Sequence, residues 1–575
     1  MEHALEYLTI GVYLTFLLGI SIYVSKQNRN VSDYVRGGGQ AAWWLVGSSA
    51  FMSSISAYTF TANGSLAYMA GPSALIIFVA IGSGLVISAV YIGPWIRQTE
   101  AVTFADIIRQ RFGPEVEQFW VYFSFLVGPL ASSVMLWALA VFCSTVFGFP
   151  LIGTILVLGL VVLFYSCTGG RWAVMATDFL QGTILVPISI LIAVLCLAKF
   201  GGLGGFLAYF ERPEFVEDFK FVNAIGEFSQ NKFTIAWILA MFTMVFLKET
   251  NFEKADKYLS AKDSRSARKS AILSGVLVVI GGPVFLIPAM TARFLFEDQV
   301  TNIAIQNPAE AAHAIAAMNV LPNGLTGILV VAMFAATMSS MDTGLNSVTG
   351  GIVNNLIPAL RRRLKKPPLS ELNQIRLCRG ITIVLGLIII SYALLFATKP
   401  DLTIFDAYMF MNAAIIVPLG LPFAISLFVR KLPRWSYFVI AGAGLAPSIY
   451  AYFDADQWTF QRRVFTVVGF SVLATVVCRL LFFTASKPYR ERIEAFFTKM
   501  HTPVITEGDG PNQQDRFQLN LLGTTSLIAS GFLSLLLLVP NPVSGRLAIL
   551  TVCLFVFSIG MLLKRAARRT TTPAE

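Results

Sequence analysis

Apolar runs of about 20 residues recur from Tyr7 almost to the end of the chain, with short polar stretches between them. A helix needs about 20 apolar residues to cross the hydrocarbon core of a bilayer. The pattern therefore predicts about fifteen crossing helices, over 5–25, 42–68, 71–96, 118–148, 150–167, 173–199, 232–252, 270–294, 324–358, 377–397, 403–429, 434–453, 463–485, 518–540 and 545–564. Polar residues inside the runs are few. They concentrate in the second, sixth, seventh and ninth predicted spans, where lipid-facing chain would carry leucine.

The loops divide by charge. Odd-numbered junctions are basic, with Lys26, Arg29 and Arg36, then Arg97, Arg109 and Arg111, then "KADKYLSAKDSRSARK", "RRRLKK", "KPYRER" and the terminal "KRAARR". Even-numbered junctions are short or acidic, as in "FERPEFVEDF", with Arg462 and Arg463 as the exception. Basic loops stay on the cytoplasmic side. The N-terminus is therefore expected outside and the C-terminus in the cytoplasm, which needs an odd number of crossings. The chain is expected in the cell (inner or plasma) membrane.

Composition agrees. Of 575 residues, 56% are hydrophobic and 13% charged, against about a quarter charged in a soluble domain; mean hydropathy is +0.69. The first run has no basic leader and no small-residue cleavage site, so it is read as a retained helix and not a signal peptide. The net charge of +11 lies in short loops and does not imply nucleic acid. Cys143, Cys167, Cys196, Cys378, Cys478 and Cys553 show no metal spacing and are expected as buried thiols. The longest hydrophilic insert, at about 487–516, reads as a cytoplasmic linker. Within it "RIEAFFTKM" is either an amphipathic helix lying on the membrane surface or a plain loop.

Four stretches carry candidate chemistry. The second span, "WWLVGSSAFMSSISAYTFTANGSLAYMAG", is crowded with Ser, Thr, Gly and Ala. Small residues permit close helix packing; the alternative is a helix interrupted near the midplane, whose loosened carbonyls are tolerated only where they are buried or line a cavity. In the ninth span Ala336, Ser339 and Ser340 fall at i, i+3 and i+4, one helical face. Two hydroxyls with nearby carbonyls could cage sodium, a hard cation that prefers oxygen, or could simply pack. Ser339, Asp342 and Thr343 form a second such set. Asp178 in the sixth span, about two turns from Arg171, is a functional candidate because an intramembrane carboxylate is costly; a helix-to-helix hydrogen bond is the alternative. Lys248 and Glu249, at the end of the seventh run, are expected to snorkel at the inner interface, with solute contact as the alternative.

Several of these stretches together are similar to the sodium:solute symporter family: "GGGQAAWWLVGSSAFMSSISA", "TFADIIRQRFG", "TGGRWAVMATDFLQG", "DKYLSAKD" and "LPNGLTGILVVAMFAATMSSMDTGLNS". The resemblance covers roughly residues 5 to 430. It implies an all-α polytopic membrane protein with the leucine-transporter fold: two inverted five-helix repeats, one leading helix and about four trailing ones. The expected divisions are a leading helix in 1–30, a transport core in 31–430 and C-terminal helices in 431–575. The implied activity is sodium-coupled symport of a small polar organic solute by alternating access, with Na+, the solute and the bilayer as partners. It implies a transporter and no catalytic residues. The alternative is a transporter-like sensor or partner-binding protein.

Carried over by position, the family's main sodium site falls on the carbonyls of Met52, Ile55 and Ala336 and the hydroxyls of Ser339 and Ser340. A second cation site falls on Asp178, Ser339, Asp342 and Thr343, where Asp342 replaces the usual Ser or Thr. Positions that hold a hexose in one sugar-transporting branch correspond to Thr59, Phe78 and Ile81, so the sugar mode does not transfer. Solute contacts are expected at Ser56, Thr59, Asn251, Tyr408 and Asn412.

Overall fold

The computed structural model describes residues 4–25, 39–168, 171–249, 255–399, 401–453, 458–504 and 513–569. Regular structure among them is helical, apart from one isolated bridge between Ala41 and Ala261. Helix α1 is Ala4–Ser25, α2 Trp43–Met52, α3 Ala57–Ala70, α4 Ile76–Ile87, α5 Gly93–Gln98 and α6 Phe104–Arg111. Then follow α7 Pro114–Phe147, α8 Leu151–Thr168, α9 Arg171–Ala198, α10 Ile235–Glu249, α11 Ala255–Ser260 and α12 Ser264–Leu295. The second half holds α13 Ala312–Val320, α14 Leu325–Gly351, α15 Ile357–Arg363, α16 Glu371–Ala397, α17 Ile404–Met411 and α18 Val417–Phe428. Last come α19 Ser436–Phe453, α20 Phe460–Leu480, α21 Lys487–His501, α22 Gln513–Ser534 and α23 Val543–Arg569.

Among the described residues, eleven helical runs are long and apolar enough to cross a membrane, with two shorter apolar ones, Ala4–Leu17 and Leu151–Cys167. One of the eleven, Ala57–Gln98, has 42 residues. Straight, it would be about 63 Å long, twice the hydrocarbon thickness. It divides at Gly71, whose backbone takes φ +50 and ψ −120, a region open to glycine alone. With that division and α10 counted, the helices match the fifteen expected spans. The observed ends follow local capping. The Thr103 hydroxyl accepts from Asp106 N to open α6, Thr403 does the same from Asp406 N for α17, and Asp263 accepts from Ser266 N for α12.

The polar ninth span is α14, and its position explains its composition. In its apolar window 89% of residues are buried inside the protein, against 33% for α23. It packs against α1, α2, α3, α7 and α9, so almost none of its surface meets lipid. The second expected span is met in two pieces, α2 and α3; the seventh is met by α10, and the short α11 lies beyond its expected end. The six cysteines are unpaired; five are buried and Cys167 is half-buried.

One end of the bundle is tied by main-chain contacts. Ala41 N donates to Ser260 O at 3.0 Å and Lys262 N to Ala41 O at 3.2 Å. The buried Arg111 donates to Ser426 O, Val429 O and Tyr489 Oη at 3.1–3.2 Å. The last contact docks α21, and Tyr489, Ile493, Phe496, Phe497 and Met500 of that helix are buried. The insert expected as a linker is thus partly a helix. Its apolar face is buried where a membrane-surface helix would leave it exposed.

Replacing Gly71 by alanine should destabilise the protein by about 1–3 kcal/mol. An added Cβ meets the Phe219 ring, and φ +50 is unfavourable for it. The thermal midpoint of the detergent-solubilised variant reads this loss; an unchanged midpoint refutes the strain argument.

Candidate ion and solute site

Between α2 and α3 the helix is interrupted over Ser53, Ser54, Ile55 and Ser56. Helical hydrogen bonding lapses there, and in a low-dielectric interior each stranded polar group is costly. Partners come from α14. Ala57 N donates to Thr337 Oγ1 at 2.9 Å. Ser340 Oγ lies 3.3 Å from Ser53 O, 3.2 Å from Ile55 O and 3.3 Å from Ala336 O. Ser53 Oγ and Thr343 Oγ1 are 3.1 Å apart. Within the break itself, Ser56 N donates to Thr59 Oγ1 at 3.3 Å.

The arrangement has more oxygens than protons. One hydroxyl hydrogen on Ser340 faces three carbonyls and can serve only one at full strength. The hydroxyl of Ser339 is buried with no hydrogen-bond partner among the described residues. A compact set of neutral oxygens short of hydrogens suits a hard monovalent cation. Of the expected main-site residues, the structure brings together Ile55, Ala336 and Ser340, with Ser339 beside Ser340 in sequence. The Met52 carbonyl already accepts from Ile55 N at 3.2 Å, and Ser53 O stands beside Ser340 in addition.

A charged cluster adjoins this set. Asp178 on α9 accepts from Ser49 Oγ and, at 3.2 Å, from Lys257 Nζ of α11. Lys257 Nζ also lies 2.5 Å from Ser49 Oγ. Arg171 is 3.4 Å from Asp256. Asp342 accepts from Ser166 Oγ on α8 and feels the charges of Asp178, Lys257 and Arg171. All five ionisable side chains are buried, Lys257 and Arg171 fully. With every group ionised, two cations would face three carboxylates within this cluster, and Asp178 Oδ1 has no partner among the described residues. Thr343, the fourth expected member of the second set, pairs with Ser53 and with Ser339 O at 2.8 Å.

On the other side of the break lies a small cavity of about 50 Å³, lined by Ser54, Ser56, Thr59, Asn63, Ile81 and Asn412 among others. It brings together Ser56, Thr59, Tyr408 and Asn412 of the expected solute contacts; Asn251 lies outside the described residues. Asn412 opens a π-helical turn, Asn412–Ile416, a local irregularity frequent at functional sites. A larger cavity of about 180 Å³ runs from Ser53, Ser340 and Thr343 past Ser132 toward Phe104 and Trp120, the end with the basic loops.

Lys248 departs from its expectation. It lines both cavities and donates to Tyr408 Oη at 2.7 Å, instead of reaching outward to an interface. Sequence reasoning missed Lys257, Ser49 and Ser166. Lys257 sits in a basic loop stretch, where charge reads as solvated; only a fold that folds α11 inward reveals it.

A family model described as the sodium:solute symporter family matches residues 34–436. The sodium/sialic acid symporter NanT of Aliivibrio fischeri is 24% identical over 442 residues, 74% of this chain and 83% of that protein. The sodium/glucose cotransporter of Vibrio parahaemolyticus is 25% identical over 372 residues, 60% of this chain and 68% of its own length. Among solved structures, a substrate-bound, outward-open Na+-coupled sialic acid symporter is similar with TM-score 0.69 at 19% identity, covering 83% of this chain and 98% of that one. Mhp1, a nucleobase-cation-symport-1 family transporter, has TM-score 0.50 at 12% identity, covering 80% and 98%. The shared fold is that of the leucine-transporter type.

Removing one partner of a buried ion pair costs about 3–5 kcal/mol, because it strands the other charge. Lys257→Met and Asp178→Asn should each lower stability on that scale. The double variant should lose less than the sum by about 1 kcal/mol or more. Thermal or denaturant unfolding of the four proteins checks the coupling; additive losses rule it out.

Proposed function

The chain belongs to the sodium:solute symporter family, and from that premise we propose that its sodium-coupled symport is import of a small polar solute through the site described above. It is an integral membrane protein. The charge of its loops supports the cell membrane as its location, with the N-terminus outside and the basic loop ends in the cytoplasm.

The observation that carries the site assignment is the oxygen-rich, proton-poor junction of Ser339, Ser340 and the carbonyls of the broken helix. Sodium there would be held by Ile55, Ala336, Ser339 and Ser340, with the Met52 carbonyl as the remaining ligand of the set. The ion supplies the charge that links α14 to the α2–α3 break. These two elements belong to different repeats, so an ion bridging them favours one relative position over the other. Coupling follows when ion and solute prefer the same state by differential affinity. A monovalent ion crossing the full field gains about 2.3 kcal/mol per 100 mV, enough to concentrate a neutral solute by one to two orders of magnitude.

A second cation is assigned to Asp178, Ser339, Asp342 and Thr343. The excess of carboxylates over cations in the five-residue cluster supports it, and a proton on Asp342 would balance the same excess. Groups facing Asp342 include Asp178, Arg171, Lys257, Tyr165 and Cys167.

Two substitutions test these assignments. Ser340→Ala removes a sodium ligand, so the sodium concentration for half-maximal uptake in proteoliposomes should rise several-fold with expression unchanged. An unaltered value would return Ser340 to a packing role. Asp342→Ser removes the extra carboxylate. Transport should persist with weaker sodium activation or a lower Hill slope and an altered pH profile. A variant with the parent's affinity, slope and pH profile would make Asp342 structural.

A further inference from the structure

The smaller cavity holds hydrogen-bond acceptors that lack donors. Thr59 and Asn63 stand four residues apart on α3, so they share one face of it, and both line the cavity. Thr59 is engaged, because its Oγ1 accepts from Ser56 N at the start of the helix. Asn63, one turn further along, is 4% exposed, and its Oδ1 has no hydrogen-bond partner among the described residues. From the second repeat comes Asn412, fully buried at the head of the π-helical turn. Its Nδ2 donates to Tyr408 O at 2.7 Å. A carbonyl only accepts, so this contact fixes which end of the carboxamide faces it. Asn412 Oδ1 is thereby turned away from Tyr408 O, and it too lacks a partner among the described residues.

Two such oxygens at membrane depth are costly, since native interiors satisfy buried polar groups and lipid offers no donor. The two charged residues that line the cavity, Lys248 and Glu249, are paired with each other at 3.9 Å. The groups left unanswered are therefore the carboxamide oxygens, together with Tyr58 Oη, which also lines the cavity and has no partner among the described residues. A cation is one way to satisfy oxygens, but a hard ion gathers roughly six of them. The lining here includes Ile77, Ile81, Met244 and Met409, which suit a carbon skeleton instead. An organic molecule that brings its own donors answers both the oxygens and the apolar walls.

We propose that Asn63 and Asn412 select the solute by each accepting a hydrogen bond from it, and that the solute is a small organic molecule with at least two O–H or N–H donors on a compact carbon frame. Asn63 lies on α3 of the first repeat and Asn412 in the second, so a solute that bridges them ties the repeats together beside the ion. This rests on the cavity being the solute site of the symporter. It goes further in naming donors as the recognised feature and Asn63 as a contact. The cavity is about 50 Å³, against about 300 Å³ or more for an ordinary small-molecule site, so it widens around the solute. Tyr58 and Tyr408, whose ring centroids are 4.6 Å apart, part to make that room.

The test is thermal unfolding of the purified full chain in sodium and in choline, with probes matched except for their donors. The pairs are D-glucose with its monofluoro-deoxy analogues, L-proline with N-methyl-L-proline, and uracil with N,N′-dimethyluracil. A ligand that binds the folded state raises the midpoint. At least one donor-bearing probe should raise it in sodium more than its donor-poor partner does, and the responding pair tells hydroxyl from N–H donors. Asn63→Leu removes an unanswered acceptor at similar volume, so the variant's own midpoint should equal or exceed the parent's. It should keep the shift caused by sodium alone, yet bind the responding probe about tenfold or more weakly. The preference for that probe over its partner should shrink, which a merely structural role would not cause. Asn63→Ala reads the same loss if leucine does not fit. The proposal is overturned if no probe shifts the midpoint, if donor-poor partners match their probes, or if Asn63→Leu and Asn63→Ala bind the responding probe as the parent does. Probe binding unchanged with a lowered midpoint means that Asn63 holds water only, which also overturns it. If the variants weaken a probe but the partners bind alike, the cavity remains the solute site and the donor rule alone falls. If partners differ but the variants have no effect, the solute binds elsewhere and the reading of the cavity falls with it.

Discussion

The structure turns on a broken helix that must be satisfied without water. Ser53 to Ser56 interrupt the second span at a depth where stranded carbonyl and amide groups are costly. The remedy is a stripe of hydroxyls on α14. Thr337 receives the first amide of α3, Ser340 approaches the carbonyls of Ser53 and Ile55, and Thr343 meets the Ser53 side chain. These residues recur every three positions, so one face of one helix services the whole interruption. The packing and ion-binding readings of the stripe are therefore not rivals. The hydroxyls mend the break, and the mended break has more oxygen atoms than hydrogen atoms to place between them.

A consequence follows for the charges nearby. Once α14 is wrapped by α1, α2, α3, α7 and α9, any ionised group on its inner turns is cut off from water. Asp342 survives there because Ser166 donates to it and because Lys257 and Arg171 are brought into the same buried region. Lys257 reaches it from α11 only because the short helix after α10 is tied inward, through the Ala41 bridge and the contacts of Arg97 with Ala261 O and Lys262 O. The charge cluster and the closure of that end of the bundle thus depend on each other. Drawing α11 away would strip Asp178 of its ammonium partner, and a cation from solution would be the natural replacement.

The number and order of spans were legible in the sequence because a bilayer imposes a minimum length on every crossing. The polar face of the ninth span was legible because hydroxyls at i, i+3 and i+4 are conspicuous in an apolar run. What the sequence could not display was the direction of lone charges. Lys248 ends an apolar run, where snorkelling and pocket lining look alike; only the approach of Tyr408 from α17 separates them. Lys257 lies in a stretch dense with basic residues, and its burial depends on the fold of α11. Likewise, the 487–516 insert has a linker's composition. Its docking depends on Arg111 meeting Tyr489, a pairing of residues 378 positions apart that no local pattern announces.

The two cavities beside the break share Ser53, Met135, Ser340, Lys248 and Tyr408 as a common wall. That wall is thin, and it is built from the groups assigned to the ion and to the solute. Ser340 faces the break carbonyls on one side and lines the smaller cavity on the other. A hydrogen bond from Lys248 to Tyr408 joins α10 to α17 at the boundary of the larger cavity. A ligand competing for Lys248 would weaken that bond, and an ion on Ser340 would fix the opposite edge of the wall. On the proposed assignment, coupling between ion and solute would need no long relay, because each ligand would alter a contact that bounds the other's cavity.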